Sequence, residues 1–393
     1  MNNLLWYFLF SECLFFLAAL YQDDLLVYNG DLTTAYAYHA VAIASFSLGY
    51  LIKQLTLTKK YMPPSPTKVI YRLKPQFYFF SYLLIVAGIA VTIAQIAITI
   101  NPLDYMSNLL SGNFQAGLRD AFLLSSAEGG LSGVIKMFGV APLSVYLFSL
   151  GILTLLDVDD HQKKRLVKLN RWALAMVLVK VLLSLDRMTI MAILVANFFR
   201  MTKRQEVFLK RNLIIMSSVV MLGSFLSSKR IEGYGILNSL FLYLKLGIVN
   251  LQNMIDSLHG HTYGFSTLLS PFTFISRALP LPLPEISTEF NWEWNPAQYT
   301  VSYSYQDFGV FFFLLFLILG YVSKKIDFMA IKRHNIYFVS AYFMALYGLI
   351  SLIAVPAFRG MEFWLAILIP LVLIRLFAKP VQVTSGLAPN PGS

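Results

Sequence analysis

The stretch FGVFFFLLFLILGYV, Phe308–Val322, followed by Ser323-Lys324-Lys325, decides how this chain has to be read. An unbroken apolar run that ends on paired lysines is the pattern of a helix crossing a bilayer and stopping at its cytoplasmic surface. Similar runs recur in both directions from it: Leu4–Leu20, Tyr36–Ile52, Phe77–Ile100, Val134–Leu156, Trp172–Phe199, Asn212–Leu226, Ile336–Val355 and Phe363–Phe377. The composition agrees, with 57% hydrophobic and 13% charged residues over 393 positions, where soluble chains carry about a quarter charged. The expected fold is an all-α polytopic membrane protein, one integral membrane domain over residues 1–379. Residues 380–393, rich in Pro, Gly and Ser, read as a disordered tail and in part as appended sequence.

The net charge of +11 does not point to nucleic acid, because the Lys and Arg lie between apolar runs and not on a separate module. They report topology. Lys53, Lys59, Lys60, Lys68, Arg72 and Lys74 mark the connection after the second run as cytoplasmic, which puts the amino terminus inside as well. Lys163, Lys164, Arg165, Lys168 and Arg171 mark another inside connection, and Arg200, Lys203, Arg204, Lys210 and Arg211 a third. Trp172–Phe199 lies between two of these, so it is read as a short hairpin turning near Ser184, Leu185, Asp186 and Arg187. About 10 transmembrane helices result, with both termini cytoplasmic. The single cysteine, Cys13, leaves no intramolecular disulfide available, and the first run lacks a small-residue cleavage pattern.

On the opposite side, residues 228–308 form one long extracytoplasmic loop, read as a lid. Within it Ile236–Leu258 is expected to be an interfacial amphipathic helix, since Lys245, Asn250, Gln252, Asn253 and Asp256 interrupt its apolar character. The prolines between Pro271 and Pro284 predict irregular structure.

Cations on the outer side work against the orientation bias, which makes Arg119, Arg187, Lys229, Arg230, Arg277 and Arg359 candidates for binding phosphate. An arginine fork matches phosphate oxygens two at a time and keeps its proton. His259, His261 and Asp307 are candidate bases, the imidazoles because they titrate near neutrality. Trp292, Trp294, Tyr299, Tyr303 and Tyr305 could stack on sugar faces, or form an interfacial aromatic belt. No third ligand of matching type accompanies the histidines outside the membrane except His39, so no metal site is expected. Asp157-Val158-Asp159-Asp160-His161 has the form of a DxD metal motif but stands at a cytoplasmic helix end, outside the context that motif needs. Glu12 and Lys180 fall near mid-bilayer and are candidates to pair.

The stretch Asn295-Pro296-Ala297-Gln298-Tyr299-Thr300-Val301-Ser302-Tyr303-Ser304-Tyr305-Gln306-Asp307-Phe308-Gly309, running into a helix that ends Leu319-Gly320, resembles bacterial oligosaccharide repeat unit polymerases. These are the Wzy-type O-antigen, capsule and exopolysaccharide polymerases. Leu185-Asp186-Arg187 opening a helix, and Tyr243–Leu251 followed by Gly264–Leu269, belong to the same likeness, whose layout covers nearly the whole chain.

The resemblance implies a GT-C-like glycosyltransferase in the bacterial cytoplasmic (inner) membrane, active on the extracytoplasmic face without metal or other cofactor. It would polymerise undecaprenyl-diphosphate-linked glycans in lipopolysaccharide or related polysaccharide biosynthesis, beside a flippase and a chain-length regulator of the same pathway. Arg187, Arg119 and Asp307 match positions of that family; Arg277 and Arg359 are added on chemistry alone. The alternatives are an O-antigen ligase with lipid A core as acceptor and, in another class, a lipid-linked oligosaccharide flippase. The flippase is disfavoured because few charges are deep and no repeat is evident.

Overall fold

The computed structural model describes residues 3–18, 30–60, 69–99, 138–184, 187–204, 217, 236–258, 260–279, 300–352 and 357–382. The chain is a helical membrane protein: among the described residues, Thr33–Lys53, Pro75–Ala94 and Thr300–Lys332 are long and apolar enough to cross a bilayer. Leu4–Leu14, Ala141–Leu155 and Ile336–Ser351 are shorter apolar helices.

The Thr300–Lys332 helix is the axis of the molecule. It consists of α9 (Thr300–Phe308), a 3₁₀ turn (Gly309–Phe312), α10 (Phe313–Asp327) and a π turn (Phe328–Lys332). It starts eight residues before the apolar run whose hydropathy gives it away, so Tyr303, Tyr305 and Asp307 stand on a helix and not in a loop. Hydropathy hides this first turn because Thr300, Ser302 and Ser304 are polar, yet all three are buried. Two of them return their hydroxyls to backbone, Ser304 Oγ donating to Thr300 O at 2.8 Å and Thr300 Oγ1 to Leu352 O at 3.0 Å. The desolvation cost of those two is thereby offset, while Ser302 Oγ is buried without a partner.

Helix α2 (Thr33–Lys60) runs parallel to this axis. Tyr38 stacks on Phe312 toward one end and Tyr50 reaches Asp327 at the other. Between these points the backbones nearly touch. A Cβ on Gly49 would stand 2.0 Å from Leu317 O, and one on Gly320 2.0 Å from Phe46 O. Small residues allow this approach, and dispersion over the long seam stabilises it where lipid offers no hydrophobic drive.

The other helices alternate between the same two ends. At one end α1 (Leu4–Ala18) donates its Leu4 N–H to Asp327, at 3.3 and 3.1 Å from the two carboxylate oxygens. There too Tyr342 of α11 (Ile336–Ser351) donates to Asp327 Oδ1 at 2.9 Å. At the opposite end of α11, Leu352 O accepts from Thr300 N at 3.4 Å. Helix α4 (Ala141–Leu155) is buried along almost its whole length against α11, α3 (Pro75–Thr99), α5 (Asp160–Ser184) and α12 (Met361–Phe377).

The expected hairpin is a pair of helices, α5 and α6 (Arg187–Arg204), separated at residues 185–186. Asn170 of α5 donates to Tyr146 O and Ser149 Oγ, both at 2.9 Å, while Asn197 of α6 donates to Tyr146 Oη at 2.6 Å. Both arms thus return to one level of α4. The first arm is longer than its apolar part because the basic run from Lys163 to Arg171 is itself helical. Asp159 starts it: its carboxylate accepts the Gln162 N–H at 2.8 Å and the Gln162 side-chain amide. Asp159 is thus the N-cap of the helix, which gives one acid of the Asp157–Asp160 stretch a structural role, and the Gln162 oxygen turns instead to Leu73 N–H at 2.9 Å. The Gln162 N–H, the largest influence, and its side-chain amide hold the Asp159 carboxyl below the ordinary carboxylate value.

Two expectations need correction. Helix α7 (Ile236–Ser257) does not lie on a surface; Leu246 to Gln252 are consecutively buried against α1, α2 and α9. Its polar groups serve as internal donors and acceptors, as where Gln252 Oε1 takes the Ala35 N–H at 3.0 Å. A β-ribbon also interrupts the all-helical picture. β1 (Val69–Leu73) pairs antiparallel with β2 (Ala378–Gln382), so the first residues of the expected tail are ordered partners of the basic connection. Residues 383–393 lie outside the described residues.

Candidate functional site

Asp307 organises one end of the bundle. Its side chain is fully buried and accepts Ser266 N–H at 2.9 Å on Oδ1 and Thr267 N–H at 2.8 Å on Oδ2, with the Thr262 hydroxyl also on Oδ1. Thr262 Oγ1 lies 2.8 Å from Ser266 Oγ as well. Backbone completes the clamp: Thr262 N–H donates to Gln306 O at 3.2 Å and Tyr263 N–H to Asp307 O at 3.1 Å. Those two carbonyls are open to the loop because the α-helical ladder gives way to a 3₁₀ turn at Gly309. One carboxylate thereby fastens the whole segment from Thr262 to Thr267 to the axial helix.

The clamp seats His261. Gly309 has φ +55°, and a Cβ there would lie 2.7 Å from His261 Cε1 and 2.8 Å from Nε2. The imidazole rests on bare backbone, while the residue stays exposed. Asp-Phe-Gly thus has a physical reading: the aspartate holds the loop, and the glycine both allows the backbone turn and clears room for the ring. Tyr263, next to the histidine, has φ +50° and is 79% exposed. A left-handed conformation at a bulky exposed residue is uncommon and accompanies functional loops.

The third component comes from the connection between α11 and α12. A 3₁₀ turn, Ala357–Arg359, is held by Ala357 N–H on Ser351 Oγ at 2.9 Å and by Trp364 Nε1 on Phe358 O at 2.8 Å. It presents the Arg359 guanidinium 4.1 Å above the ring of Tyr303. Arg359 Nε is buried there with no hydrogen-bond partner. A cation–π contact orients the guanidinium without using its N–H groups, and it leaves the Nε–H as an unused donor. Helix α8 (Leu269–Ala278), which carries Arg277, packs on the same turn.

Among the sequence candidates, then, the fold gathers Asp307, His261, Arg359 and Tyr303 at one end of the axial helix. Tyr303 is 5% exposed and its face is covered by Arg359, and Tyr305 leans on Tyr38 at 5.5 Å between ring centroids. The Tyr303 ring is thus occupied inside the protein and supports the site, whereas Tyr305 is half-buried. Asp307, with its oxygens occupied, positions a loop. Arg187 opens α6 and Arg277 lies near the end of α8, with only their backbone among the described residues. Arg119, Lys229, Arg230, His259, Trp292, Trp294 and Tyr299 lie outside the described residues.

No family model, curated protein or solved structure matches the chain.

What the site can do follows from its geometry. Among the described residues no group of three His, Cys, Asp or Glu is arranged to hold a metal ion. A seated imidazole and a guanidinium with an unused donor share one helix mouth, about 9 Å of axial rise apart from Tyr303 to Gly309. That pairing can accept a proton and bind an anion.

Thr262, Ser266, Thr267 and Tyr263 escaped the sequence reading. Small hydroxyl residues give no signal by themselves; only the glycine at 264, with φ +97°, marks their segment as a built turn. Deeper in the bundle, Glu12 and His39 are both fully buried, with Glu12 Oε2 3.6 Å from His39 Nδ1 and His39 Nε2 3.0 Å from Glu12 O. His39, weighed only as a metal ligand, is a neighbour of that intramembrane acid.

Proposed function

We propose that the protein is a membrane glycosyltransferase that joins lipid-diphosphate-linked oligosaccharide repeat units. The growing glycan passes from its undecaprenyl diphosphate to a hydroxyl at the non-reducing end of a new lipid-linked unit. The observation that carries this reading is the His261 seat, a base candidate fixed by Asp307 and Gly309 at the helix mouth where Arg359 keeps a donor free. In this mechanism the acceptor oxygen bonds to the anomeric carbon as the bond to the diphosphate oxygen breaks. The hydroxyl proton goes to His261, and charge growing on the leaving diphosphate is met by Arg359, with Arg187, Arg277, Arg119, Arg230 and Lys229 as further cations. Fixed donors in a poorly hydrated site stabilise such charge by several kcal/mol. Trp292, Trp294, Tyr299 and the exposed Tyr263 are the sugar-contacting aromatics, and the site faces away from the cytoplasm.

The test is reconstitution of the purified protein with synthetic lipid-diphosphate repeat units. A ladder of products is expected from the wild type; Arg359→Ala and His261→Ala lower its rate at least about a hundredfold, the size of one lost electrostatic donor or general base. Absence of a ladder with any lipid-linked unit defeats the proposal. A single transfer to lipid A core, with no ladder, assigns the chain to ligation instead.

A further inference from the structure

We propose a binding site for anionic phospholipid on α5, at the end of the molecule opposite His261. Helix α5 buries one face completely, through Leu166, Leu169, Ala173, Val177 and Val181. The opposite face is continuous but changes character along its length. Its first half is cationic: Lys163, Lys164, Lys168 and Arg171 line a groove of about 700 Å³ that also contains Asp160 and Trp172. Its second half is apolar and exposed, with Trp172 at 51%, Val179 at 38% and Leu182 at 42%. Spacings of three, four and seven residues put these side chains on one stripe.

Four cations face one carboxylate in that groove, and among the described residues none of the four is held in an ion pair within 4.0 Å. Arg165, one position away, is different, because its guanidinium lies 5.8 Å from the Tyr78 ring centroid and belongs to the packing against α3. Among the described residues the groove is therefore a site of excess positive charge. Its position on the helix identifies the ligand. From Trp172 to Leu182 the apolar stripe rises about 15 Å, half the thickness of a hydrocarbon core. A ligand that satisfies the whole face needs a phosphate at Lys164, Lys168 and Arg171 and an acyl chain along Trp172, Val179 and Leu182. A soluble polyanion would use only the first half. An acidic glycerophospholipid of the cytoplasmic leaflet uses both.

Native mass spectrometry of the full chain in detergent doped equally with phosphatidylglycerol and phosphatidylcholine tests this. Each cation near an anionic surface is worth about fivefold in affinity. The wild type should retain phosphatidylglycerol at least about tenfold over phosphatidylcholine, and K164Q/K168Q/R171Q should bring that preference below about twofold. The control K203Q/K325Q/K332Q removes the same charge elsewhere on the basic end and should keep the preference. Equal retention of the two lipids by the wild type, or an equal loss in the control, overturns the site, as does displacement of bound phosphatidylglycerol by a soluble acidic peptide. Wild-type melting temperature in the same mixtures needs no variant. A rise with phosphatidylglycerol exceeding that with phosphatidylcholine is expected, and identical rises overturn the site.

Discussion

Asp307 and Asp327 stand on the same helix, about 30 Å apart at 1.5 Å per residue, the thickness of a hydrocarbon core. Each is buried, and each accepts hydrogen bonds from three groups. Their donors differ. Asp327 collects Leu4 N–H, Tyr50 Oη and Tyr342 Oη from three helices, α1, α2 and α11. Asp307 collects all of its donors from one loop, Thr262 to Thr267. The same chemistry therefore ties scaffold to scaffold at one end and holds a presented histidine at the other. A buried carboxylate is informative through what it gathers, more than through its own reactivity.

The largest effect expected is at the scaffold end. Asp327→Ala leaves two tyrosine hydroxyls and an amide without their acceptor, each costing about 1–3 kcal/mol when buried, so unfolding in detergent should come at much lower temperature and expression should fall. Asp327→Asn, which keeps an acceptor, should lose less. A variant that stays as stable as wild type breaks the comparison at once.

At the other end the expected loss is of activity. Asp307→Ala should abolish product ladders and speed amide exchange of residues 262–267 while the helices keep most of their protection. Whole-protein unfolding like that of Asp327→Ala would show that both carboxylates serve the scaffold. A smaller step, Gly309→Ala, forces a Cβ against His261 and strains a positive φ at a cost of about 1–2 kcal/mol. Turnover should drop more than tenfold with the Asp307 clamp retained, as read from unchanged exchange of the Ser266 and Thr267 amides.

The smallest effect belongs to an exposed aspartate. Asp159→Ala removes a helix cap, worth about 1 kcal/mol, with no change in activity. The folded-state value of Asp159 is lowered, so its contribution is present above the ordinary carboxylate value near 3.9 and is lost as pH falls through the lowered one. Wild type and variant should therefore converge in stability in that acid range. A gap that persists there means that the Gln162 contact is not electrostatic.

Much of the bundle was legible because a bilayer imposes simple rules. Apolar runs located the helices long enough to cross among the described residues, Thr33–Lys53, Pro75–Ala94 and Thr300–Lys332, and Leu185-Asp186-Arg187 marked the break between α5 and α6. Helix α7 was misread, since Asn250 and Gln252 look like surface positions until Gln252 is seen holding the Ala35 amide. The start of the axial helix was hidden for a related reason: hydropathy cannot register hydroxyls that are buried and bonded to backbone, as those of Thr300 and Ser304 are. Within the site, His261, Asp307 and Arg359 were found by residue type, whereas the work of Gly309 and Thr262 depends on which loop folds back on which turn.

The sequence by itself determined that this chain is a helical membrane protein. Local composition suffices for that, because each helix is matched to the solvent around it. Only the tertiary structure decided that Asp307 is a clamp, that Tyr303 is a support for Arg359, and that Asp327 is the knot of the opposite end. A carboxylate's role is set by the donors that converge on it, and those donors come from residues as far away in the chain as Leu4 is from Asp327.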